Sequence, residues 1–391
     1  MNNYDDFQNI TKLVPLKTDV IDWKKFENTS LSYIFNEMAK TKQNPEYHGE
    51  IDVLTHTKMV CEEIVKQPEY KNGSEKDKII LFWAALLHDI GKTVCTVECD
   101  GELKSPHHSS KGAAMARALL WRDLGLCGSY ETQQMRESIC NLIRYHSFPP
   151  YALSYKNADF RLLKIAANGE LARGFSIEKL CALERADVIG RISSSAEETL
   201  DKIECCKILS DDLGCLKKPY EFANDFSKRA YFKGKTSWKE HNMFNDSWGT
   251  VILISGLPGT GKDTYIKENY SHLPMISLDE IRKEFHISPT AKQGKVASLG
   301  HERAREYLRK KQPFVWNATN ITAQTRDMQI SLFEGYGASV ETVFLETEWD
   351  EQLNRNRNRE TQVPSSVIEN MLSKLVLPER YESEKIIWKI V

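Results

Sequence analysis

The spacing of apolar residues differs between the two halves of the chain. From about residue 27 to about 210, long amphipathic runs with almost no alternating segments predict a bundle of helices. Beyond residue 248, helical stretches separate short apolar runs, which lie at 251–255, 275–278, 314–316 and 340–345. Runs of this kind are typical of strands buried on both faces of a parallel sheet. The pattern therefore predicts an all-α bundle followed by an α/β domain with a parallel sheet.

The length of the chain agrees with two domains, because 391 residues are too many for the usual single core. The stretch 211–247 is polar and mixed, as expected of a connecting region. We therefore predict a helical domain at 1–210, a connecting region at 211–247 and an α/β domain at 248–391.

Composition limits the partners and the compartment. A formal net charge of -2 supplies no global field for a polyanion, so nucleic-acid binding would need a local basic patch. The nine cysteines are scattered, odd in number and without C-x-x-C spacing, which favours reduced thiols. The segment MNNYDDFQNI is acidic and polar where a secretory signal would be basic and then apolar, and no run is long enough to span a bilayer. We expect a cytoplasmic protein with no membrane partner.

A predicted helix in the first half ends in a histidine and an aspartate. The apolar run 79–87 leads directly into His88 and Asp89. Neutral imidazole is a common metal ligand, and a carboxylate can bridge two cations. Further candidates lie on separate predicted helices: His56, His108, His146 and Asp187. One residue from each helix can converge at the centre of a bundle, so the set predicts a metal site.

The same residues carry a family resemblance. Their order, H…HD…H…H…D, and the local sequences HGEIDVLTHT, LLHDIGK and ERADVIGR resemble the HD phosphohydrolase superfamily over roughly residues 45–195. These local sequences are similar to those of the HD modules attached to tRNA nucleotidyltransferases. The resemblance implies one metal held by His56, His88, Asp89 and Asp187, and a second held by His108 and His146 and bridged by Asp89. Such a pair would generate a hydroxide for phosphoester hydrolysis, with Mn, Co, Ni and Zn as candidate ions.

Some assignments near this site stay open. His107 neighbours His108, and the His-x-x-x-Gly spacing to Gly112 favours His108 as the ligand. His48 and Glu50 could line the site without binding a metal. Lys92 and Arg191 could contact a substrate phosphate, or they could be exposed charges in ordinary ion pairs.

A glycine-rich segment follows the first strand of the second half. Its sequence, GLPGTGKDT at 256–264, fits G-x-x-x-x-G-K and leads into a helical stretch. Glycines let backbone N–H groups surround phosphates, while Lys262 supplies a point charge for the β and γ groups. The predicted nucleotide-binding residues are Gly256, Gly259, Thr260, Gly261, Lys262, Asp263 and Thr264. We expect this loop to bind ATP or another nucleoside triphosphate with Mg²⁺.

One position of this loop departs from the common pattern. Asp263 stands where Ser or Thr usually offers a hydroxyl to Mg²⁺. A carboxylate can also ligate Mg²⁺, but it adds negative charge beside the triphosphate. Thr264 could supply the hydroxyl instead, and the sequence does not decide between the two.

Charged residues further along could act on an acceptor. Asp279 ends a strand-like run and Arg282 lies one helical turn later, so both could face the rim where ligands bind in open α/β sheets. Asp279 could take the proton of an attacking hydroxyl, or it could cap a helix. Arg355 and Arg359 are spaced i, i+4, which predicts one helix face that could close over a phosphate or be a solvated charge run.

The second half, roughly residues 248–391, resembles the polynucleotide 5′-kinase branch of P-loop phosphotransferases. The resemblance implies that Asp279 is the general base, that Arg282 binds the acceptor phosphate, and that Arg355 and Arg359 form the lid. The segment WNATN at 316–320 is similar to that family's DATN strand end, with Asn317 in place of the acid.

Together the two halves resemble the bacterial HD-Pnk type of bifunctional end-healing enzyme. This resemblance implies that the HD half removes a 2′,3′-cyclic phosphate or a terminal 2′/3′-phosphate from broken RNA, and that the kinase half phosphorylates the 5′-hydroxyl. DNA ends are an alternative substrate, and a separate ligase would use the products. Two other interpretations stay open: a nucleotide-salvage fusion of a nucleotidase with a small-molecule kinase, and a regulator whose P-loop senses ATP and gates the HD module.

Overall fold

The computed structural model describes residues 6–44, 49, 52–191, 196–288, 294–359 and 362–391. His48 and Glu50, considered above as lining residues, lie outside the described residues. Contacts within the chain divide it into two compact units between Tyr220 and Glu221.

The N-terminal unit is predominantly helical, as predicted. Its helices are α1 (Phe7–Thr11), α2 (Trp23–Glu27), α3 (Ser32–Lys40), α4 (Val53–Ile64), α5 (Pro68–Lys71), α6 (Glu75–Leu87), α7 (Lys92–Cys95), α8 (His108–Ala118), α9 (Tyr130–Tyr145), α10 (Ala158–Ala166), α11 (Ile177–Ile189) and α12 (Ala196–Asp212). A π-helical turn at Leu119–Asp123 extends α8, and 3-10 turns lie at Pro149–Ser154 and Ala167–Glu170.

A small antiparallel hairpin also belongs to this unit, and the helical prediction did not include it. Its strands are β1 (Val97–Cys99) and β2 (Glu102–Lys104). The two residues between them, Asp100 and Gly101, both have positive φ, 57° and 79°. An Asp-Gly pair of this kind is a hairpin signal that the sequence already contained.

Helix α6 lies in the interior of the N-terminal unit. Ser74 and Asp77 form a capping box at its start. Every side chain from Ile80 to Leu87 is fully buried, and the helix packs against α4, α9 and α11. A helix that is apolar on all sides needs neighbours on all sides. The residues that follow it, His88 and Asp89, therefore enter the interior as well.

The C-terminal unit is the predicted α/β domain. Its strands are β3 (Thr250–Ser255), β4 (Met275–Ser277), β5 (Val315–Asn317), β6 (Ser339–Glu346) and β7 (Lys385–Ile390). Its helices are α13 (Asp225–Phe232), α14 (Lys262–Asn269), α15 (Leu278–Glu284), α16 (Gly294–Arg309), α17 (Ala323–Gly335), α18 (Trp349–Arg357) and α19 (Ser365–Leu372). The strands form one parallel sheet in the order β4-β5-β3-β6-β7.

The strand order fixes where a ligand can bind. The chain leaves the central strand β3 toward β4 and β5 on one side, and later toward β6 and β7 on the other. Ligands of open parallel sheets bind beyond the carboxyl ends of the strands at such a switch point. The glycine-rich loop 256–261 begins there, immediately after β3.

Strand β7 was not among the predicted strands. Its sequence alternates, with Ile386 and Trp388 buried and Lys385 and Lys389 exposed. This strand lies at the edge of the sheet, so it lacks the continuous apolar run that marked the inner strands.

The stretch 211–247, predicted as a connecting region, is divided between the two units. Helix α13 packs within the C-terminal unit, because Arg229 bonds Glu334 on α17 at 2.6 and 3.0 Å and the carbonyl of Tyr381 at 2.7 Å. Arg380 adds a contact to Asp225 at 2.5 Å. The polar sequence of this stretch therefore includes a helix that is held by buried and half-buried ion pairs.

In the part of the chain that the structure describes, none of the helices has the length and apolar character that crossing a bilayer requires.

Candidate active sites

The helices of the N-terminal unit bring the predicted metal ligands together. His56 lies on α4, His88 and Asp89 follow α6 directly, and Asp187 lies near the end of α11. His108 is the first residue of α8, and His146 directly follows α9. Every one of these side chains is at most 3% exposed except that of His108, which is 21% exposed.

The ligand atoms form two groups of three. The first group is His56, His88 and Asp187, and the second is Asp89, His108 and His146. Within each group, the candidate ligand atoms all lie within 4.8 Å of one another. In the first group, His56 Nε2 lies 2.8 Å from Asp187 Oδ1 and 3.4 Å from His88 Nε2.

Asp89 lies between the two groups, with one oxygen toward each. Its Oδ2 is 3.3 Å from His88 Nε2 and 3.6 Å from His56 Nε2. Its Oδ1 is 3.5 Å from His108 Nε2 and 4.0 Å from His146 Nε2, and it has no hydrogen-bond partner among the described residues. A carboxylate so placed can bridge two cations.

Backbone carbonyls fix the orientation of three imidazoles. The Nδ1 atoms of His88, His108 and His146 lie 2.8, 2.9 and 2.7 Å from the carbonyl oxygens three residues earlier in the chain. A carbonyl can only accept, so each Nδ1 carries the proton and donates it. Each Nε2 is left with its lone pair toward the centre of the site. Metal-ligating histidines in proteins are held in this way.

The charges around the site keep both carboxylates ionised. Burial alone would raise the pKa of Asp89, but Lys92, with Nζ 2.8 Å from Asp89 Oδ2, and His88 hold it well below its usual value. Burial is likewise outweighed at Asp187, whose pKa is held well below its usual value by its ion pair with Arg191 and by His56. Lys92 and Arg191, whose roles the sequence left open, thus pair with the two carboxylates.

Burial and the neighbouring His88 lower the pKa of His146 to about 3. Its imidazole is therefore neutral at physiological pH, which is the form that can bind a metal ion. The donor set of two carboxylates and four imidazoles fits divalent transition-metal ions.

A glycine allows the turn after Asp89 to approach the start of α8. A Cβ atom at Gly91 would come within 2.1 Å of the His108 carbonyl oxygen and 2.7 Å of the Gly112 nitrogen. Any side chain at Gly91 would force these segments apart and separate Asp89 from His108. His107 is exposed, precedes the helix with φ of 59°, and belongs to neither ligand group.

Glu184 lies one turn before Asp187 on α11, and the sequence reasoning did not single it out. It is 3% exposed, and its Oε2 has no hydrogen-bond partner among the described residues. Burial and the Asp187 carboxylate raise the pKa of Glu184 well above its usual value. The spacing of three residues from Asp187 on an apolar helix was the available signal.

In the C-terminal unit, the glycine-rich loop connects β3 to α14. Gly256, Gly259 and Gly261 have φ values of 153°, 86° and 81°, which L side chains rarely adopt. Lys262 Nζ donates to the carbonyls of Gly256 at 3.1 Å and Leu257 at 2.9 Å. Burial lowers the pKa of Lys262 to about 8, with Arg359 acting in the same direction against the carboxylates of Asp263 and Asp279.

Two polar side chains support this loop from within the protein. Thr260 is buried, and its hydroxyl donates to the Leu257 carbonyl at 2.9 Å. Gln352, on α18, is buried and donates through Nε2 to the Pro258 carbonyl at 3.0 Å. Gln352 was not identified from the sequence, because its partner is a backbone atom nearly a hundred positions away and no local spacing predicts such a contact.

The acceptor-side candidates meet at the same rim. Asp279 is the second residue of α15 and pairs with Arg282. The N-cap of α15 is Ser277, whose hydroxyl accepts from the Glu280 N–H at 3.3 Å, so the capping role considered for Asp279 is wrong. Arg359 Nη2 lies 4.0 Å from Asp279 Oδ2.

Arg355 and Arg359 do not share a helix face, contrary to the prediction. Helix α18 ends at Arg357, so Arg359 lies beyond it. Arg355 bonds Glu351 at 2.7 Å, and its Nη1 lies 3.3 Å from where a Cβ atom at Gly261 would stand. One arginine is therefore beside the glycine-rich loop and the other beside Asp279.

The two residues that differ from the common P-loop pattern, Asp263 and Asn317, are in contact. Asn317, at the end of β5, donates through Nδ2 to Asp263 Oδ1 at 2.7 Å. Thr264 is exposed on the following position of α14.

Comparisons with known proteins agree with this division. Residues 51–189 match the family model described as HD domain, and residues 251–378 match the model described as AAA domain. No curated protein matches the chain. Residues 51–189 are therefore similar to HD domains, and residues 251–378, which contain the glycine-rich loop, are similar to AAA domains. The first match implies a divalent metal and the second a nucleotide with Mg²⁺.

Two solved structures are among those similar to the chain. A presumed kinase from Chloroflexus aurantiacus j-10-fl aligns with a TM-score of 0.31 and 12% identity, over 37% of this chain and 86% of that one. A gluconokinase from Sinorhizobium meliloti 1021 aligns with a TM-score of 0.28 and 21% identity, over 37% of this chain and 84% of that one.

Adjacent histidines provide a direct test of the second ligand group. His108→Ala removes one of its imidazoles and should weaken Mn²⁺ binding at that group by at least about 10-fold. His107→Ala is the matched control and should bind Mn²⁺ as the unchanged protein does. The measurement is Mn²⁺ stoichiometry and affinity by electron paramagnetic resonance and mass spectrometry of the metal. Equal losses in the two variants would contradict the ligand grouping.

Proposed function

We propose that this chain heals broken RNA ends. Its HD domain would hydrolyse 2′,3′-cyclic phosphate and 2′/3′-phosphate ends, and its P-loop domain would transfer the γ-phosphate of a nucleoside triphosphate to 5′-hydroxyl ends. The observation that carries the hydrolase half is Asp89, whose two oxygens face two separate ligand groups. The products are ends that a separate ligase can join.

In the HD domain, the proposed role of the protein side chains is to hold the metal ions and to keep the ligands correctly oriented. His56, His88 and Asp187 would hold one metal ion, His108 and His146 a second, and Asp89 would bridge them. When bound, such a metal pair supplies a hydroxide near neutral pH and stabilises negative charge on the phosphoryl oxygens. The carbonyl bonds to the Nδ1 atoms keep the imidazoles in the ligand tautomer. Lys92 and Arg191 balance the carboxylates beside the site.

In the P-loop domain, Lys262 and the loop N–H groups would bind the triphosphate, which is accompanied by Mg²⁺ in this chemistry. Asp279 would accept the proton of the attacking 5′-hydroxyl, because it is an exposed carboxylate at the rim beside Lys262 and Arg359. Arg355, next to Gly261, would stabilise charge on the transferring phosphate together with Arg359.

The position of Arg282 favours a polymer, rather than a small molecule, as the phosphate acceptor. Its guanidinium lies beside Asp279, the proposed base, and could bind a phosphate of the acceptor strand. A nucleic-acid end offers such a phosphate next to its terminal hydroxyl, while many small-molecule acceptors do not. RNA is the proposed substrate because its 2′-hydroxyl permits the cyclic phosphate that the HD half would open.

The two reactions should be separable by mutation in the full chain. On an RNA with a 5′-hydroxyl and a 2′,3′-cyclic phosphate, supplied with ATP, Mg²⁺ and Mn²⁺, Asp89→Ala should lower only hydrolysis at the 3′ end. Lys262→Ala should lower only phosphorylation at the 5′ end. Each loss should be at least about 100-fold, because each change removes a group that acts on a phosphate through charge. The readout is end-group analysis of the same RNA molecules.

Three substrates serve as controls for that assay: DNA of the same sequence, the 2′,3′-cyclic mononucleotide, and a nucleoside as kinase acceptor. The proposal requires the RNA to react faster than the mononucleotide and the nucleoside. If the RNA is unchanged at both ends while mononucleotides turn over, RNA healing is wrong and nucleotide salvage replaces it.

The role of Asp279 is open to its own test. Asp279→Asn should reduce the turnover number of 5′-phosphorylation by about 100-fold or more while leaving the affinity for ATP with Mg²⁺ nearly unchanged, because a general base acts on the acceptor hydroxyl. Glu280→Gln changes the adjacent exposed carboxylate and should have little effect. The comparison uses steady-state kinetics with an RNA acceptor. Full turnover in Asp279→Asn would place the base elsewhere.

A further inference from the structure

The hydrogen bond between Asn317 and Asp263 joins the two positions at which the loop and the strand end depart from the usual P-loop pattern. In P-loop phosphotransferases, a Ser or Thr after the loop lysine and an Asp at a strand end hold Mg²⁺. Here the acid follows the lysine, at Asp263, and the neutral residue ends the strand, at Asn317. The pair retains one neutral group and one carboxylate, with their positions exchanged.

The side chains at the two exchanged positions are complementary, because one donates a hydrogen bond to the other. Asn317 is 5% exposed and donates through Nδ2 to Asp263 Oδ1 at 2.7 Å. An amide offers N–H donors to a carboxylate, whereas a second carboxylate at 317 would repel it. The amide also contacts the Met275 sulfur at 3.7 Å, so its position is set by two neighbouring strands. Asn317 is thereby a positioning residue for the carboxylate of Asp263.

The second carboxylate oxygen of Asp263 is available to a ligand. Oδ2 makes no hydrogen bond to the part of the chain that the structure describes, and the residue is exposed in the first turn of α14. The carboxylate is close enough to Lys262 to act on its charge. Oxygen ligands of this kind suit Mg²⁺, which usually binds one or two carboxylates together with phosphate oxygens.

We propose that Asp263, oriented by Asn317, supplies the protein carboxylate of the Mg²⁺–nucleotide site. This inference rests on the kinase half of the proposed function, since it concerns the same nucleotide. It explains the unusual residues at positions 263 and 317 by a single shared role in binding Mg²⁺. In this assignment the exposed Thr264 is not needed as a substitute for the missing hydroxyl, because Asp263 itself supplies the oxygen ligand.

The exchange has a consequence for nucleotide binding. Asp263 is in the first turn of the helix that follows the loop, so its negative charge would lie close to a bound triphosphate. Metal-free ATP should therefore be repelled, and Mg²⁺ should convert that repulsion into attraction. The affinity for nucleotide should depend on Mg²⁺ more steeply than a hydroxyl at this position would allow.

The test measures coupling between Mg²⁺ and nucleotide rather than catalysis. The full chain is titrated by calorimetry with the β,γ-imido analogue of ATP, in excess Mg²⁺ and again in EDTA. The unchanged protein should bind the analogue about 100-fold more tightly with Mg²⁺. In Asp263→Asn this ratio should fall by about 10-fold or more, chiefly through tighter binding without metal and weaker binding with it.

Two further variants make the test specific. The double change Asp263→Ser with Asn317→Asp restores the common arrangement and should regain most of the Mg²⁺ dependence. Glu268→Gln removes an exposed carboxylate from the same helix and should leave the ratio unchanged. Melting temperatures without nucleotide verify that each variant is folded, and the double variant tests the exchange even if one single variant is unstable.

The outcomes separate this inference from the function on which it rests. If the unchanged protein binds the analogue and Asp263→Asn keeps the full Mg²⁺ dependence, the assignment of Asp263 is wrong while the kinase remains. If the unchanged protein binds no nucleotide with or without Mg²⁺, both the kinase and this inference are overturned. A failure to phosphorylate RNA, with the coupling intact, overturns the proposed substrate alone.

Discussion

Two ionised carboxylates, Asp89 and Asp187, are buried in the interior of a helical unit, and the arrangement of that unit follows from the need to compensate them. An uncompensated buried charge costs several kcal/mol. Lys92 and Arg191 each pair with one carboxylate, and four imidazoles face the same space. The turn at Gly91 can approach α8 closely enough to complete the second ligand group. A site that neutral residues could fill would need none of these contacts.

The C-terminal unit depends on a different constraint, which is the concentration of negative charge on a nucleotide. Its loop adopts backbone conformations that glycine favours, and it begins at the carboxyl end of the central strand. Lys262, Arg355 and Arg359 stand around that loop and its rim, while Asp279 and Asp263 supply carboxylates at two separate points. Phosphoryl transfer consists largely of placing such charges in advance.

The sequence predicted those features that local spacing controls. The apolar run before His88 and Asp89 predicted a helix that leads both residues into a metal site, and the glycine spacing at 256–261 predicted the phosphate loop. Contacts between distant residues could not be predicted in this way. The two-sided placement of Asp89 was expected only from the family resemblance, and it requires the packed helices. The bond from Asn317 to Asp263 was not expected at all, because it depends on how the strand and the helix pack. Helix ends were also uncertain, as Arg359 shows, because weak terminal turns are decided by packing.

The central claim is that the N-terminal unit holds two metal ions bridged by one carboxylate. Anomalous diffraction from crystals of the full chain grown with Mn²⁺ tests it most directly. The account predicts two peaks about 3.5–4 Å apart, one beside His56, His88 and Asp187 and one beside His108 and His146, with an oxygen of Asp89 toward each. A saturated crystal with no peak between these residues, or with a single peak that Asp89 does not contact, would contradict it.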